Sequence, residues 1–253
     1  MPIQYTIIGD GPEHVLVLHG WFGDHSVFSP IFPSLDTERF TYVFPDYRGY
    51  GKSIAMTGAY TVDEVATDAL ELADTLGWDR FHIVGHSMGG MVVQRLMVDA
   101  PQRVKSAVAI TPVPASGAPL DEEGEKLFSG ACADDALRAM IVGASTGNRL
   151  SETWVRKIVH DSRAQTTPDA FQGYMRMFTG TDFAAAAKGN KTPILVLPGE
   201  CDGALTVDVM QQTFMKWYPN ATLKVIGNAA HYPMQETPVF LATEIQKFFE
   251  AHA

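Results

Sequence analysis

The sequence predicts an α/β protein: a mostly parallel, doubly wound sheet with a helical cap inserted into it. Short apolar runs alternate along the chain with stretches of helical periodicity, as strands alternate with crossover helices in parallel sheets. The runs VLVL, FHIV and ILVL are almost continuously apolar, which is typical of strands that helices cover on both faces. The alternation fails once, between residues 112 and 190, where only helical patterns follow one another.

The predicted elements follow in order along the chain. The stretch QYTIIGDGPEH indicates a strand and a glycine-rich turn, and FTYVFPDYRGYGKS indicates another strand followed by a loop. In TVDEVATDALELADTLG, Thr61 and Glu64 form a capping-box pattern and Gly77 marks the end, which predicts a helix. Further helical patterns cover Ser87 to Ala100, Val207 to Tyr218, and Val239 to the C-terminus.

The helical stretch in the middle of the chain divides the predicted sheet in sequence. Segments such as SETWVRKIVHDSR and PDAFQGYMRMF have the period of short helices, and the apolar runs VKSAVAI and PILVLPG stand on either side of the stretch. We therefore expect a core domain made of residues 1–111 and 191–253, with a cap made of residues 112–190.

Composition restricts the possible functions. The 253 residues are 46% hydrophobic and carry a net charge of -10 without a basic cluster, which argues against nucleic acid or an anionic membrane as partner. The start lacks a signal-peptide pattern, and no apolar run reaches the roughly 20 residues of a membrane span, so a cytoplasmic location is expected.

Cys132 and Cys201 are expected to be free thiols. Neither a metal-ligand spacing nor an oligomeric state is indicated, and no cofactor is expected.

The stretch GHSMGG places Ser87 between Gly85 and Gly89 where a predicted strand gives way to a predicted helix. A sharp strand-to-helix turn strains the backbone, and small neighbours let the turn close without side-chain clashes. This is the context that a nucleophile elbow requires, with the serine hydroxyl beyond the carboxyl end of the sheet. The positive end of the following helix favours negative charge there. Ser87 is the candidate nucleophile.

A serine hydroxyl is a weak nucleophile and needs a base, which in turn needs an orienting acid. His231 lies in a loop after the apolar run TLKVI and is the candidate base, with His25 as its competitor. Asp202 follows the strand PILVLPG and is the candidate acid, with Glu200 two residues away as the alternative. The order serine, acid, histidine supports this set.

An acyl oxyanion needs two backbone N–H donors. One is expected from Met88, directly after the serine, and the other from the early loop HGWFGDH, with Trp21 as the candidate. Gly20 and Gly23 would let this loop approach the site closely, and His19 is expected to support the loop rather than to act in catalysis.

The order of these motifs resembles the α/β-hydrolase superfamily over nearly the whole chain: LHGW, DYRGYGKS, GHSMGG, PGECD and NAAHYPMQETPVF. The resemblance implies a helical cap over the site, with the amides of Trp21 and Met88 as oxyanion donors. The serine departs from haloalkane dehalogenases and epoxide hydrolases, whose nucleophile is a carboxylate. GHSMGG is similar to small carboxylesterases of the pimeloyl-ester esterase type, to cofactor-free haloperoxidases and to C–C bond hydrolases.

The predicted activity is hydrolysis of a small-to-medium apolar ester through an acyl-enzyme. Activity should then rise with pH as a histidine base loses its proton, around the ordinary imidazole value of roughly 6.5. Cleavage of C–C bonds, lactones or peracids on the same residues stays open, as does a sensor that mainly binds. Arg163 and Arg176 could grip a substrate carboxylate, although a solvated arginine is the simpler interpretation. The candidate substrate-binding residues lie in the cap, and packing onto the core is the alternative for each: Phe128, Trp154, Tyr174, Met175 and Phe178.

Overall fold

A computed structural model describes residues 2–253 and contains one seven-stranded sheet. The strand order is β1-β3-β2-β4-β5-β6-β7, and all neighbours are parallel except β1, which runs antiparallel to β3. The strands are β1 (Tyr5–Ile8), β2 (Glu13–Leu18), β3 (Phe40–Pro45), β4 (Phe81–His86), β5 (Val104–Ile110), β6 (Ile194–Leu197) and β7 (Ala221–Leu223).

Eleven α-helices connect and cover these strands within the described residues. They are α1 (Val62–Thr75), α2 (Met88–Asp99), α3 (Glu122–Gly130), α4 (Asp135–Ser145), α5 (Glu152–Ala164), α6 (Pro168–Gly180), α7 (Ala184–Ala187), α8 (Val207–Gln212), α9 (Phe214–Trp217), α10 (Pro233–Glu236) and α11 (Pro238–Glu250). Two 3-10 segments, His25–Ser34 and Gly51–Ser53, follow β2 and β3.

The central strands carry the core. Every residue of β4 and β6 is buried, as are the last four residues of β2. Because neighbouring residues of a strand face opposite sides of the sheet, this burial means that both faces are covered. The near-continuous apolar runs of the sequence therefore have the expected cause, and the predicted α/β class with a mostly parallel sheet is confirmed.

The strand order brings two loops together at one edge of the sheet. After β2 the chain moves outward to β3, and α1 then returns it to β4 on the other side of β2. The carboxyl ends of β2 and β4 are neighbours, with Leu18 paired to Gly85. Ligands of open α/β sheets bind at such a switch point, since the loops there diverge and leave a crevice.

The helical insertion is present between β5 and β6, where α3 to α7 follow one another without a strand in the described chain. Its longer helices begin at short polar residues whose side chains accept an amide N–H of the first turn, namely Asp121, Asp134, Ser151 and Thr167. The predicted boundaries at 112 and 190 lie in the connections after β5 and before β6, and this division into core and cap stays a prediction.

Two predicted helices show how local chemistry sets their limits. The Thr61 side chain accepts the amide of Glu64, whose carboxylate accepts the amides of Ala59 and Tyr60, and Gly77 follows with φ +72°. The helix predicted over Val207 to Tyr218 is wrong as one element. It breaks into α8 and α9 at Thr213, whose φ and ψ of −111° and −85° lie outside the helical region.

Close packing of α2 on β2 gives a stability prediction. A Cβ on Gly89 would lie 2.6 Å from the carbonyl oxygen of Leu18 and 2.8 Å from that of His19, so Gly89→Ala must push α2 away from the sheet. We expect the free energy of unfolding, measured by urea denaturation, to fall by about 1–3 kcal/mol. Gly180→Ala is the control, since nothing lies within 4 Å of its added Cβ, and its stability should be unchanged or raised. Equal stability of the two variants would contradict this packing.

Candidate active site

Ser87 lies on a sharp turn between β4 and α2. Its φ and ψ are 55° and −115°, in a region that residues with side chains rarely adopt. The turn is held by three backbone hydrogen bonds: the Ser87 amide donates to Ile110 (2.9 Å), and the Ser87 carbonyl accepts the amides of Gly90 (2.9 Å) and Val113 (3.0 Å). A Cβ on Gly85 would lie 2.3 Å from the Gly89 carbonyl, so the small residue predicted there is required.

The structure brings Ser87, His231 and Asp202 into one hydrogen-bonded chain. The distance from Ser87 Oγ to His231 Nε2 is 3.0 Å, and the distance from His231 Nδ1 to Asp202 Oδ2 is 2.7 Å. The other carboxylate oxygen of Asp202 accepts the amides of Ala204 and Leu205 at 2.9 and 3.0 Å. Burial alone would raise the pKa of Asp202, but His231 and these two amides outweigh burial and lower it. Asp202 therefore stays ionised near neutral pH.

The two alternative residues lie elsewhere. The Glu200 carboxylate accepts the amide of Asn228 at 2.8 Å and has no hydrogen bond to the His231 ring within residues 2–253. His25 Nδ1 contacts both carboxylate oxygens of Asp46 at 2.9 Å, and His25 does not line the cavity over Ser87. Asp202 is favoured over Glu200 because its carboxylate is the one that bonds the His231 ring.

His86 is part of the site although its role was not predicted. Its Nε2–H donates to the backbone carbonyl of His231 at 2.7 Å, and its other ring nitrogen is buried without a partner in the described chain. Burial, reinforced by the neighbouring His231, lowers the pKa of His86 to about 3. His86 is therefore a neutral hydrogen-bond donor to the backbone of His231. Its position directly before the serine, at the buried end of a strand, was the available signal.

The loop after β2 approaches the serine closely. A Cβ on Gly20 would lie 2.8 Å from the His86 ring, so only glycine fits. The His19 ring donates from Nδ1 to the Gly20 carbonyl (2.8 Å) and accepts the Tyr47 amide at Nε2 (3.2 Å). Burial lowers the pKa of His19, which keeps the ring neutral and suits this pair of bonds. His19 supports the loop, as its position suggested.

The amides of Met88 and Trp21, which the sequence analysis predicts as oxyanion donors, donate no hydrogen bond within residues 2–253. Met88 is the first residue of α2, where an amide has no acceptor within its own helix. The Trp21 side chain is fixed, since its indole N–H donates to the Phe171 carbonyl of α6 at 2.7 Å and its ring stacks on Phe171 at 4.2 Å.

A cavity of about 410 Å³ opens over Ser87 and His231. One wall is the segment after β5, which contributes small apolar residues from Val113 to Leu120. The cap and the acid loop contribute the other walls: Phe128, Ile141, Ser145, Phe178, Leu205 and Val209. Among the lining residues in the described chain, none carries a carboxylate, an ammonium or a guanidinium group. The cavity is therefore suited to an uncharged, largely apolar ligand.

The candidate substrate-binding residues of the cap divide into two groups. Phe128 and Phe178 line the cavity, and Trp21 stacks on the Phe128 ring. Trp154, Tyr174 and Met175 do not line it, so for these three the packing alternative describes their position.

The side chains of Trp154, Tyr174 and Met175 make their contacts outside the cavity. The Trp154 indole N–H donates to Gln235 at 2.9 Å. Tyr174 belongs to α6, and its side chain is buried against the rings of Tyr47 and Tyr50. Met175 is buried in the core cluster. Helical periodicity reveals a buried face but does not reveal which neighbour covers it. The sequence alone therefore could not distinguish packing from substrate binding for these three residues.

The two arginines considered for a substrate carboxylate also lie outside the cavity. Arg163 pairs with Asp135 and donates to the Cys132 carbonyl. Arg176 lines a separate groove between the cap and residues 59–61, beside Tyr60 and Asp169. The sequence analysis did not identify the segment VPASGAPL as part of the cavity wall. Its richness in Pro, Ala and Gly was the available signal, since small residues from this segment line the cavity.

Among residues 2–253, one group of side chains is close enough to hold a metal ion: Asp24, His25 and Asp46. The Asp46 carboxylate already accepts the amides of His25 and Lys52, and the Asp24 carboxylate accepts from Ser26. Although burial opposes the His25 charge, the neighbouring carboxylates outweigh it and raise the pKa of His25. This favours a proton on the ring, which competes with a metal. The group instead anchors the loop after β2.

No helix among residues 2–253 combines the length and the apolar character that crossing a membrane requires.

Comparisons with known proteins agree with this architecture. Residues 13–134 match the family described as the alpha/beta hydrolase fold. The chain is 24% identical to the uncharacterized carboxylesterase nap of Bacillus subtilis, over 98% of this chain and 84% of that protein.

A second relative is the pimeloyl-[acyl-carrier protein] methyl ester esterase of Salmonella heidelberg. It is 28% identical, over 93% of each chain. The solved structure of a hydrolase from Oleispira antarctica superposes with a TM-score of 0.88 at 18% identity, over 98% of this chain and 95% of that one. With its sheet order and its inserted helices, the chain has the α/β-hydrolase fold, and its sequence is similar to those of carboxylesterases.

Proposed function

We propose that this protein is a serine hydrolase that cleaves small-to-medium apolar carboxylic esters. The observation that carries the proposal is the chain of hydrogen bonds from Ser87 Oγ through the His231 ring to Asp202, at 3.0 and 2.7 Å, on the floor of an apolar cavity. A hydroxyl, a base and an orienting acid at these distances are the arrangement that nucleophilic acyl transfer requires.

The first half of the proposed reaction forms an acyl-enzyme. His231 Nε2 takes the proton of Ser87 Oγ as that oxygen attacks the ester carbonyl carbon. In this proposal the tetrahedral oxyanion accepts hydrogen bonds from the amides of Met88 and Trp21. When the intermediate collapses, the C–O bond to the alcohol breaks and His231 returns its proton to the leaving oxygen. Asp202 stabilises the imidazolium that exists between these steps.

The second half releases the acid. A water molecule gives its proton to His231 and attacks the acyl carbon, and the bond to Ser87 Oγ breaks as His231 returns the proton to that oxygen. The buried carboxylate of Asp202 and the fixed backbone of His231 keep the ring in one orientation through both halves. The chemistry needs no group beyond these side chains, the two amides and water.

Cavity chemistry supports the substrate class. The walls are apolar, and a volume of about 410 Å³ lies at the small end of the range for ligand pockets. The names of two relatives, a carboxylesterase and a methyl ester esterase, point to the same bond. Cleavage of C–C bonds, lactones and peracids uses the same three side chains, so these reactions, and a sensor without turnover, are alternative outcomes of the assays below.

The role of Ser87 is tested by Ser87→Ala. With p-nitrophenyl esters from acetate to decanoate, we expect wild-type turnover above about 1 s⁻¹ and a loss of at least about a thousandfold in the variant, since Ser87 carries the hydroxyl that is hydrogen-bonded to the His231 ring. Ser116→Ala is the matched control, because Ser116 also lines the cavity but lies outside the hydrogen-bonded chain. Turnover that is negligible in the wild type, or equal in Ser87→Ala, would overturn the esterase proposal.

The pH profile tests the base. Between pH 5 and 9, His86 (pKa about 3) stays neutral and Asp202, whose pKa is lowered, stays charged. We therefore expect kcat/KM to rise with pH along a single ionisation with a slope of one, as a histidine base loses its proton. Against the effect of burial, the carboxylates of Asp46 and Asp24 raise the pKa of His25, but His25 does not line the cavity. A flat profile over this range would exclude a histidine base.

The uncharged walls predict a preference between acyl groups of similar size. Methyl hexanoate should be hydrolysed with a kcat/KM at least about a hundredfold above that of the mono-methyl ester of adipic acid at pH 7.5. The reason is that a carboxylate in the apolar cavity would be buried without a partner. Comparable rates for the two esters would show that the acyl chain does not enter this cavity.

A further inference from the structure

The loop that carries His231 is held along its whole backbone. This base loop, residues 228–236, runs from Asn228 to the end of α10. The carbonyl of His231 accepts from the His86 ring at 2.7 Å and from the Thr111 hydroxyl at 3.2 Å. Three consecutive amides of the loop are also bonded. The Glu236 carboxylate accepts the amides of residues 230 and 232, and the Ser145 carbonyl of the cap accepts the amide of His231.

Glu236 binds the base loop on both sides of the histidine. Its Oε1 accepts the amide of Ala230 at 2.9 Å and the amide of Tyr232 at 3.1 Å. Only 3% of the Glu236 side chain is exposed. A carboxylate that accepts two amides flanking one residue fixes the backbone direction of that residue, and through it the plane in which its ring can turn.

The cap reaches the same loop through a tight turn. This cap turn, residues 145–149, ends α4 and reverses direction at Gly147 and Asn148, both with left-handed φ of 62° and 54°. The Ser145 carbonyl accepts the amide of His231 itself at 3.3 Å. A Cβ on Gly147 would lie 3.5 Å from the Cys201 carbonyl, so the cap turn also lies against the loop of Asp202.

Arg149 connects the cap turn to the base loop through an ion pair and a hydrogen bond. Its Nη1 donates to Glu236 Oε2 at 2.9 Å, and its Nη2 donates to Asn228 Oδ1 at 2.8 Å, so one guanidinium bridges the two ends of the base loop. This is the one ion pair of Glu236 within residues 2–253. A buried carboxylate without its cation is costly, and the position of the cap therefore affects the stability of the Glu236 arrangement.

We propose that Glu236 and Arg149 are positioning residues for the base, and that seating of the cap turn on the base loop sets the orientation of His231. The cap then does more than cover the cavity, since a displaced cap would release the His231 amide from the Ser145 carbonyl and would leave the Glu236 carboxylate without the Arg149 guanidinium. The kinetic consequence rests on the proposed function, whereas the geometric consequence for the His231–Asp202 bond does not.

The kinetic test uses four single variants of the full chain and the double variant Arg149→Met/Glu236→Gln. Arg149→Met keeps the length of the side chain and removes its charge, and Arg149→Lys restores the charge without the second arm of the fork. Glu236→Gln keeps an acceptor oxygen for the two amides and breaks the ion pair. Arg156→Met is the matched control, because Arg156 is an exposed cap arginine that pairs only along its own helix.

We expect kcat to fall about tenfold in Arg149→Met with KM unchanged within twofold, because the ring is misplaced and the cavity walls are not. Arg149→Lys should recover part of the loss. Glu236→Gln should lose a similar factor, and the double variant should lose little more than either single one, because both changes break one interaction. Arg156→Met should match the wild type. Additive losses, or a loss expressed in KM alone, would overturn the proposal.

A spectroscopic readout separates this proposal from the esterase proposal. The proton of the His231–Asp202 bond should give a low-field NMR resonance in the wild type, assigned by its loss in Asp202→Asn. We expect it to broaden or disappear in Arg149→Met and Glu236→Gln and to persist in Arg156→Met. This result would support the positioning role even if no ester is turned over. A resonance unchanged in all three variants would exclude the role even if esters are hydrolysed.

Discussion

Ser87 occupies a backbone conformation, φ 55° and ψ −115°, that costs about 1–3 kcal/mol for a residue with a side chain. The surrounding structure maintains it. Small residues at 85 and 89 let β4 and α2 approach, and the neighbouring carbonyl of Leu18 leaves no room for a side chain at 89. The result is a hydroxyl at the start of a helix, at the point where the carboxyl ends of two neighbouring strands meet. Every other feature of the site is arranged around this position.

Core and cap meet on both sides of the serine. On one side, the indole of Trp21 bonds and stacks on Phe171 of the cap, and the buried Arg138 guanidinium lies 3.8 Å above the Phe171 ring. On the other side, the cap turn holds the loop of His231. The loop that contains Trp21 and the base loop each contact the cap, so the inserted helices are a structural part of the site as well as a wall of its cavity.

The fold and three central side chains were predictable from the sequence because their signals are local. Continuous apolar runs identify buried parallel strands, and a serine between glycines at a strand-to-helix junction has few other uses. The order of motifs along the chain also limits where an acid and a histidine can lie. The structure brings Ser87, Asp202 and His231 together, as the sequence analysis expected.

Contacts between distant segments were not predictable in the same way. Glu236 looks like an ordinary surface residue in a short helix, and its burial depends on Arg149, which lies 87 residues away. Trp154 belongs to an amphipathic helix, but no periodicity indicates that its indole bonds to Gln235 and not to a ligand. The cavity wall formed by the segment after β5 carries little side-chain chemistry, and its importance follows from shape alone.

Covalent labelling is the most direct test of whether His231 activates Ser87 as a nucleophile, because it detects an activated serine without knowledge of the natural substrate. The protein is treated with an alkyl fluorophosphonate, digested, and analysed by mass spectrometry. We expect one phosphonyl adduct on the peptide that contains Ser87, formed rapidly in the wild type and at least about a hundredfold more slowly in His231→Ala. Labelling elsewhere, or labelling of Ser87 at the same rate without the histidine, would contradict an activated Ser87–His231 pair.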